Sequence, residues 1–370
     1  MKFLHLADLH LGRMLYGRSL IEDQQYFLEH VLLPAVDEHH PDAVLISGDI
    51  YDRPVAPTEA ILLFSNLLES LAQRKIPVAA ISGNHDGPER IAVGKGLLAK
   101  QGVHIVTNLE EAFSPILLGD AQVFALPFFD NAEMRAFLGD DTLRGAGACM
   151  RAAVEKMREV FDPQKKHILL AHCFAAGAST SDSESGIYVG GTGDVPVDVF
   201  DVFDYAALGH LHASQKAGEK ARYAGSPLKY SVDEAHQKKC LTLVTLTDGG
   251  FEAELLPVVP LHDVKRVQGT FDELMNLPVD EDYAELVLTD EAPIYMPAEQ
   301  LRKVFPNLLT VRNEWFTRLY TEETAAPVSR ETGKDAIFRG FLRDVCGEEI
   351  TEEDEALFAD VLKTLEGGAL

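Results

Sequence analysis

The sequence predicts an α/β fold, a sheet covered on both faces by helices. Two observations carry this over the first two-thirds of the chain. Short apolar runs recur: KFLHLA (2–7), AVLIS (43–47), VAAIS (78–82), VHIVT (103–107), VFALP (123–127), HILLAH (167–172), YAALGH (205–210) and LTLVTL (241–246). Helix-length stretches lie between several of them, at 21–39, 58–75 and 150–160. Apolar runs of this length are strands buried on both sides, and their alternation with helices is the pattern of a covered sheet. Pro57 and Thr58 mark a helix start, and Pro77 follows that helix's end.

Helix 58–75 is apolar beyond a single stripe: Ile61, Leu62, Leu63, Phe64, Leu67, Leu68 and Leu71 exceed one core-facing side. A helix wedged between sheet and neighbours accounts for this, and so does a face used for self-association. The Ser-, Gly- and Asp-rich stretch 174–196 is long for a loop in a compact domain, and such loops are usually mobile or functional. The character changes near residue 260. The expected organisation is a main domain over 1–260, a small α/β unit over 264–320, a Thr/Pro/Ser linker over 321–332 and a helical segment over 333–370. Thr351 to Asp354 reads as a capping-box-like helix start.

The 370 residues carry 59 acids against 33 bases, a formal charge of −26. Phosphate backbones are gripped by basic patches, so this balance alone argues against a general nucleic-acid binder. Bound cations can supply positive charge at a site, and a second subunit can complete a groove. The four cysteines are scattered, with no CxxC pair, which argues against a disulfide framework and a zinc knuckle. No apolar run is long enough to span a bilayer, and the start MKFLHLADLHLGR lacks a signal-peptide layout, so a cytoplasmic protein without membrane attachment is expected.

Five apolar runs end in metal-competent side chains. LHLADLH supplies Asp8 and His10, VLISGDIYD supplies Asp49 and Asp52, and AAISGNHD supplies Asn84, His85 and Asp86. ILLAH supplies His172, and YAALGHLH supplies His210 and His212. Each alone has a bland reading: a capping aspartate, a glycine turn, an Asn/Asp turn, a core histidine. Together they converge, because ligands in α/β sheets bind beyond the carboxyl ends of strands. Clustered carboxylates and neutral imidazoles are costly to bury without a cation. Oxygen and imidazole donors without thiolate suit manganese or a similar first-row ion. A pair of cations can clamp the attacking and leaving oxygens of a displacement at phosphorus, and Asp49 is the natural bridging carboxylate.

This order of motifs, DxH, GDxxD, GNHD, H and GHxH, resembles the calcineurin-like metallophosphoesterases. Within them, FLHLADLHLGRMLYGRS, GDIYDRPVAP, ISGNHDGPERI, HCFAAGASTSDSES, VGGTGDVP, FDYAALGHLHASQ and RYAGSPLKYSVDEA are similar to the SbcD family of bacterial nuclease subunits, over about the first 260 residues. The resemblance implies a sandwich of two β-sheets flanked by helices, with a small α/β capping domain and a helical C-terminal tail. It implies one ion on Asp8, His10, Asp49 and His212, and another on Asp49, Asn84, His172 and His210, with Mn²⁺ expected and Mg²⁺ as the alternative. His85 would then be the catalytic acid or transition-state stabiliser and Asp52 would orient it. Asp86 is read as structural. Arg13, Tyr16, Arg18 and Lys229 are the expected DNA contacts, although Lys229 and Tyr230 could equally pack behind the GHLH turn.

The resemblance further implies 3′–5′ exonuclease action on duplex ends and endonuclease action on single strands or hairpins, within an ATP-dependent DNA end-processing and repair complex. The implied partners are DNA, an SbcC-type ATPase subunit with a long coiled coil, and a second copy of the chain, forming a homodimer within a heterotetramer. The tail's apolar stripe, Ile337, Phe338, Phe341, Leu342 and Val345, would dock on the ATPase. Helix 58–75 and the stretch 89–100 would carry dimerisation. Two rivals share the scaffold. A phosphomonoesterase or cyclic-nucleotide phosphodiesterase fits the acidic charge, but needs neither the unit 264–320 nor the tail. A non-catalytic assembly subunit needs neither His85 nor Asp52.

Overall fold

The computed structural model describes residues 1–181, 183–184, 193–313, 351, 354, 357 and 358. It divides into two compact units, Met1–Lys265 and the remainder from Arg266. The expected linker 321–332 lies outside the described residues, as do the tail's apolar stripe and nearly all of 333–370.

The first unit holds two six-stranded sheets. The eight apolar runs are all strands, divided between them. In the first sheet the order is Gly250–Pro257, Cys240–Thr247, Lys2–Leu6, Ala43–Ser47, Val78–Ile81, Val103–Val106. The last four are parallel, and Cys240–Thr247 joins antiparallel to Lys2–Leu6. The second sheet runs Gln215–Ala217, Ala221–Tyr223, Tyr205–Gly209, Lys166–His172, Ala121–Leu126, Ile116–Leu118, with the middle four parallel. Phe3, Leu45, Ala79, Ile81, Val123, Ile168, Leu170, Tyr205, Ala207 and Val244 form a core cluster drawn from both sheets. The single covered sheet read from periodicity is therefore a sandwich, as the family resemblance implies. Runs buried on both faces look the same in sequence whichever sheet they join.

The second sheet's other face packs on Gly145–Arg158 and Asn131–Leu138 through Cys149, Met150, Ala153, Val154, Met157 and Met134. The stretch 21–39 is less uniform than its periodicity predicts. It runs α-helical over Ile21–Tyr26, widens to a π-turn over Phe27–Leu32, and resumes as Leu33–His39. Pro34 has no N–H for the carbonyl of residue 30, and the wider turn comes just before it.

One polar network sits inside the sandwich. Ser47 Oγ donates to the Ala207 carbonyl, 2.9 Å away, so it accepts from His5 Nε2 at 3.2 Å. His5 Nδ1 is then the acceptor for the Tyr205 hydroxyl, at 3.0 Å. The ring is thus held neutral, and burial followed by the charge of Arg222 pulls its pKa down to about 3.

Among the described residues, the second unit is built on a three-stranded sheet, Val264–Gly269, Tyr283–Leu288, Leu308–Asn313, with short helices Phe271–Met275 and Pro297–Leu301. Thr270 and Glu273 close a capping box on the first helix. Its core is Leu274, Ala284, Leu286, Leu288, Leu301, Val304, Phe305 and Leu308. Glu285 is buried beneath Arg266 and Arg312. Farther on, Thr351 and Asp354 make the reciprocal contacts of a capped helix start.

Candidate metal centre

The parallel strands of both sheets end at one rim. Strands Lys2–Leu6, Ala43–Ser47 and Val78–Ile81 run out into Asp8 and His10, Asp49 and Asp52, and Asn84 to Asp86. From the second sheet, Lys166–His172 ends on His172, and Tyr205–Gly209 runs out into His210 and His212. Cross-links join the loops: the N–H of Asp8 donates to Gly48 O at 3.1 Å, that of His10 to Asp49 O at 3.0 Å, and that of His210 to Asp8 Oδ1 at 3.0 Å.

Four of these residues have a backbone that side-chain-bearing residues rarely adopt. The φ angles are 53° at Asp8, 42° at His10, 49° at Asp49 and 106° at His210. Such angles carry strain and persist only where the surroundings impose them, most often at functional sites. Two glycines allow the close approach. A Cβ on Gly83 would lie 2.1 Å from Asp49 Oδ1, and one on Gly209 would lie 2.0 Å from Ser47 O.

The donor atoms converge. His10 Nε2 and His212 Nε2 stand 3.2 Å apart. Asp49 Oδ2 lies 3.6 Å from His10 Nε2 and 3.4 Å from His172 Nε2. Asn84 Oδ1 lies 2.9 Å from His172 Nε2 and 3.2 Å from His210 Nδ1. Donor atoms from Asp8, His10 and His212 lie within 4.8 Å of one another, and so do those from Asp8, Asp49 and His172. A third cluster joins His10, Asp52 and His85. Asp8, His10, Asp49, His172, His210 and His212 are all buried, and Asn84 and His85 are half-buried.

This set fits divalent cations. His10 Nδ1 is buried without a hydrogen bond, and two imidazole Nε2 atoms face each other where at most one proton can sit between them. Burial, followed by the Asp49 charge, drives the Asp8 carboxyl well above its usual range, with His172 opposing. Burial would raise Asp49 as well, but His172, His10 and His85 outweigh it and hold that carboxyl low. Burial pulls His10 well down and His210 to about 3, whereas at His172 burial is outweighed by the Asp49 carboxylate, which raises the pKa to about 9. The two buried Asp/His clusters are placed to coordinate divalent ions, as in a two-metal site.

His85 lies beside the clusters, its ring edge-on to His10 at 4.8 Å between centroids. Its N–H donates to Asp49 Oδ1 at 2.9 Å, and its Nδ1 donates to the main-chain carbonyl of Asp52, also at 2.9 Å. Asp52 therefore meets His85 through its backbone. Its carboxylate is turned to Arg13 Nη1, 2.7 Å away.

Asp86 accepts the N–H groups of Ile50, Tyr51 and Gly83 at 2.8–3.1 Å, tying the Asp49 loop to the Asn84 loop. Burial and the Asp49 charge raise its pKa to about 7 against these three donors. Four further contributors are absent from the sequence reading. Behind His212 stand Ser183, Glu184, Glu234 and Lys239, from loops whose composition carries no ligand motif. Glu234 is held down to about 2: burial would raise it, but His212 and Lys239 prevail.

The expected DNA contacts are divided. Arg13 pairs with Asp52 and lies over the Tyr230 ring, beside the cluster. Tyr16 is 54% exposed, and Arg18 lies in the same loop. For Lys229 the expectation is corrected to the packing alternative. Its ammonium is spent on Ala235 O at 2.9 Å, Asp263 Oδ2 at 3.0 Å and Val264 O at 3.1 Å, and its side chain is nearly buried. Tyr230 packs against His10 and His212 and donates to Leu9 O.

Residues 1–214 match the family model described as calcineurin-like phosphoesterase. The chain belongs to that family, and its domain with the two buried Asp/His clusters is a two-metal phosphoesterase. Residues 260–345 match a second model, described as the Type 5 capsule protein repressor C-terminal domain (SbcD_C). The fusion of these two domains is consistent with an SbcD-like nuclease subunit. Among solved structures, TT1561 of Thermus thermophilus is similar at 11% identity and a TM-score of 0.40, over 69% of this chain and 98% of that one. A psychrophilic β-glucosidase, BglU from Micrococcus antarcticus, is matched at 12% identity and a TM-score of 0.20, over 84% of this chain and 83% of that one. At these values neither likeness bears on the site. Among the described residues no helix is long and apolar enough to cross a membrane.

Proposed function

We propose that this chain is a Mn²⁺-dependent DNA phosphodiesterase, the nuclease subunit of an ATP-dependent end-processing complex. The observation that carries the reading is the meeting of donor atoms from five strand ends with His85 beside them. In this reading Asp8, His10, Asp49 and His212 hold one cation, and Asp49, Asn84, His172 and His210 hold the other. When bound, the cations supply Lewis acidity toward a phosphodiester and make water acidic enough to serve as nucleophile near neutral pH. Asp49 is shared, which fixes the spacing of the two sets. The Asp52 carbonyl holds the proton of His85 on Nδ1, so the protonated ring would deliver its other proton, from Nε2, to the departing oxygen. The His85 N–H on Asp49 Oδ1 couples the acid's position to the shared ligand.

DNA as substrate is supported by the fusion to the second domain, which a small ester would not require. Exonuclease action from the 3′ end of duplexes and cutting of single strands or hairpins follow from the SbcD-like reading. Arg13 and the exposed loop around Tyr16 and Arg18 stand nearest in sequence to the first ligands and are the contacts retained for the backbone. Docking of the segment 333–370 on a coiled-coil ATPase is part of the same reading. Pairing of two copies is supported by Ile61, Val93 and Leu97, all exposed around an apolar groove of about 550 Å³, and by the exposed Leu62 on the same helix as Ile61.

The deciding assay incubates purified protein with labelled duplex, labelled hairpin and p-nitrophenyl phosphate, with and without Mn²⁺. The reading expects cation-dependent cleavage of both DNA substrates. Turnover of the small ester alone would move the protein to the phosphomonoesterases, in keeping with its charge of −26. Cation binding without any turnover would make it an assembly subunit.

A further inference from the structure

A serine hydroxyl and a buried carboxylate stand behind the His212 ring. His212 Nδ1 lies 2.7 Å from Ser183 Oγ and 3.2 Å from Glu234 Oε1. The Ser183 hydroxyl also contacts Glu234 Oε1. Glu234 is fully buried, and its second oxygen takes the Lys239 ammonium. Lys239 in turn reaches His212 O at 2.9 Å, Ser226 Oγ at 2.8 Å and Gln237 Oε1 at 2.8 Å. From the other side, the His212 N–H donates to Glu184 Oε1 at 2.6 Å, and Glu184 is fixed by the Ser181 N–H at 2.9 Å.

The direction of this relay follows from what each group can do. A carboxylate paired with an ammonium can only accept hydrogen bonds. The Ser183 hydroxyl therefore donates to Glu234, and its lone pair is left for His212 Nδ1. With a carboxylate oxygen 3.2 Å from the same atom, Nδ1 must carry the proton. His212 Nε2, which faces His10 Nε2, is then the unprotonated atom.

We propose that Ser183, Glu234 and Lys239 are positioning residues for the cation that His212 shares with Asp8 and His10. They lock its tautomer and ring angle, and their contacts fall on His212 and not on the ligands proposed for the other cation alone. The corresponding anchor of His172 is a main-chain carbonyl, Ser47 O, at 2.8 Å. The relay thus acts on His212, a member of one proposed ligand set. It gives the Ser/Gly/Asp loop a task, since that loop places Ser183 and Glu184 against His212. The inference rests on the two-cation reading. Partners of this kind change metal affinity by about 10- to 100-fold when removed.

The test is Mn²⁺ titration of the full chain by calorimetry, with the electron paramagnetic resonance spectrum recorded alongside. Wild type is compared with Ser183→Ala and Glu234→Gln, and each is melted in chelator to check folding. Wild type is expected to take up two ions with a spin-coupled spectrum. Each variant is expected to hold one ion within about twofold of wild type, to bind the other about 10- to 100-fold more weakly, and to lose the coupled signal at low Mn²⁺. Ser183→Ala leaves the Glu234–Lys239 pair intact, so it decides alone if Glu234→Gln fails to fold. A folded variant of either kind that binds both ions within about twofold of wild type overturns the proposal. A wild type that takes up no Mn²⁺ overturns the two-cation reading, and the proposal with it.

Discussion

His10 Nε2 and His212 Nε2, 202 residues apart in the chain, face each other at 3.2 Å inside a buried cluster. Two ring nitrogens so placed repel unless something positive lies between them. One proton serves a single pair of nitrogens, whereas a divalent cation serves these two and the neighbouring Asp8 and Asp49 carboxylates together. The backbone strain at Asp8, His10, Asp49 and His210 belongs to the same arrangement.

His85 contacts the cluster without belonging to the proposed ligand sets. Its replacement by Gln is expected to leave Mn²⁺ uptake unchanged and to slow cleavage of labelled duplex by about 100-fold or more, the usual contribution of a positioned acid. Titration calorimetry and a gel-based nuclease assay on the same preparations read both quantities. Cutting at the wild-type rate would remove His85 from the mechanism.

Gly83 leaves room for Asp49, the carboxylate proposed to serve both cations. A methyl group there would sit 2.1 Å from Asp49 Oδ1 and 2.4 Å from Asp49 N, so backbone must move rather than a flexible side-chain tip. Gly83→Ala is expected to keep the fold, seen by circular dichroism, and to weaken Mn²⁺ binding by about tenfold or more, the scale of losing a ligand's support. Unaltered binding would mean that the Asp49 loop is far less constrained than its contacts indicate.

His5 sets a pH dependence of stability. Its ordinary value is 6.5, and in the fold it is pulled down to about 3. Below pH 6.5 the unfolded chain takes up a proton that the folded chain refuses. The contribution is therefore complete above that pH and is lost as pH falls toward 3, at about 1.4 kcal/mol per unit. Urea unfolding in chelator between about pH 7 and pH 5 should show this slope, reduced by about one proton in His5→Gln. Equal slopes in the two proteins would contradict the assignment.

The exposed Ile61, Leu62, Val93 and Leu97 predict self-association. Sedimentation velocity at micromolar concentration should give a dimer, and Leu62→Glu should shift it toward monomer. A monomeric wild type would leave the groove without the partner proposed for it.

The buried Asp/His clusters were legible because each proposed ligand follows an apolar strand within a few residues, and strand ends in this topology share one rim. Asp8, Asp49, Asn84, His172 and His210 could be read that way. Ser183 and Glu234 could not. Ser183 lies in the polar loop 174–196 and Glu234 in the short turn Asp233–His236; both segments stand out as wholes, but neither pattern marks these single residues. Their partner, His212, is chosen by tertiary contact, which leaves no local periodicity. Lys229 misled for a similar reason, since a lysine beside a ligand loop reads as a phosphate contact until its acceptors are known. The split into two sheets was carried by the family resemblance, because buried parallel strands share one sequence signature.

The most direct test of the central claim is anomalous diffraction at the manganese edge from crystals soaked in Mn²⁺. Two peaks are predicted, both within coordination distance of Asp49, one also on His10 and His212 and the other also on Asn84, His172 and His210. Well-ordered crystals with no anomalous peak at this rim, or with peaks only elsewhere on the surface, would contradict it.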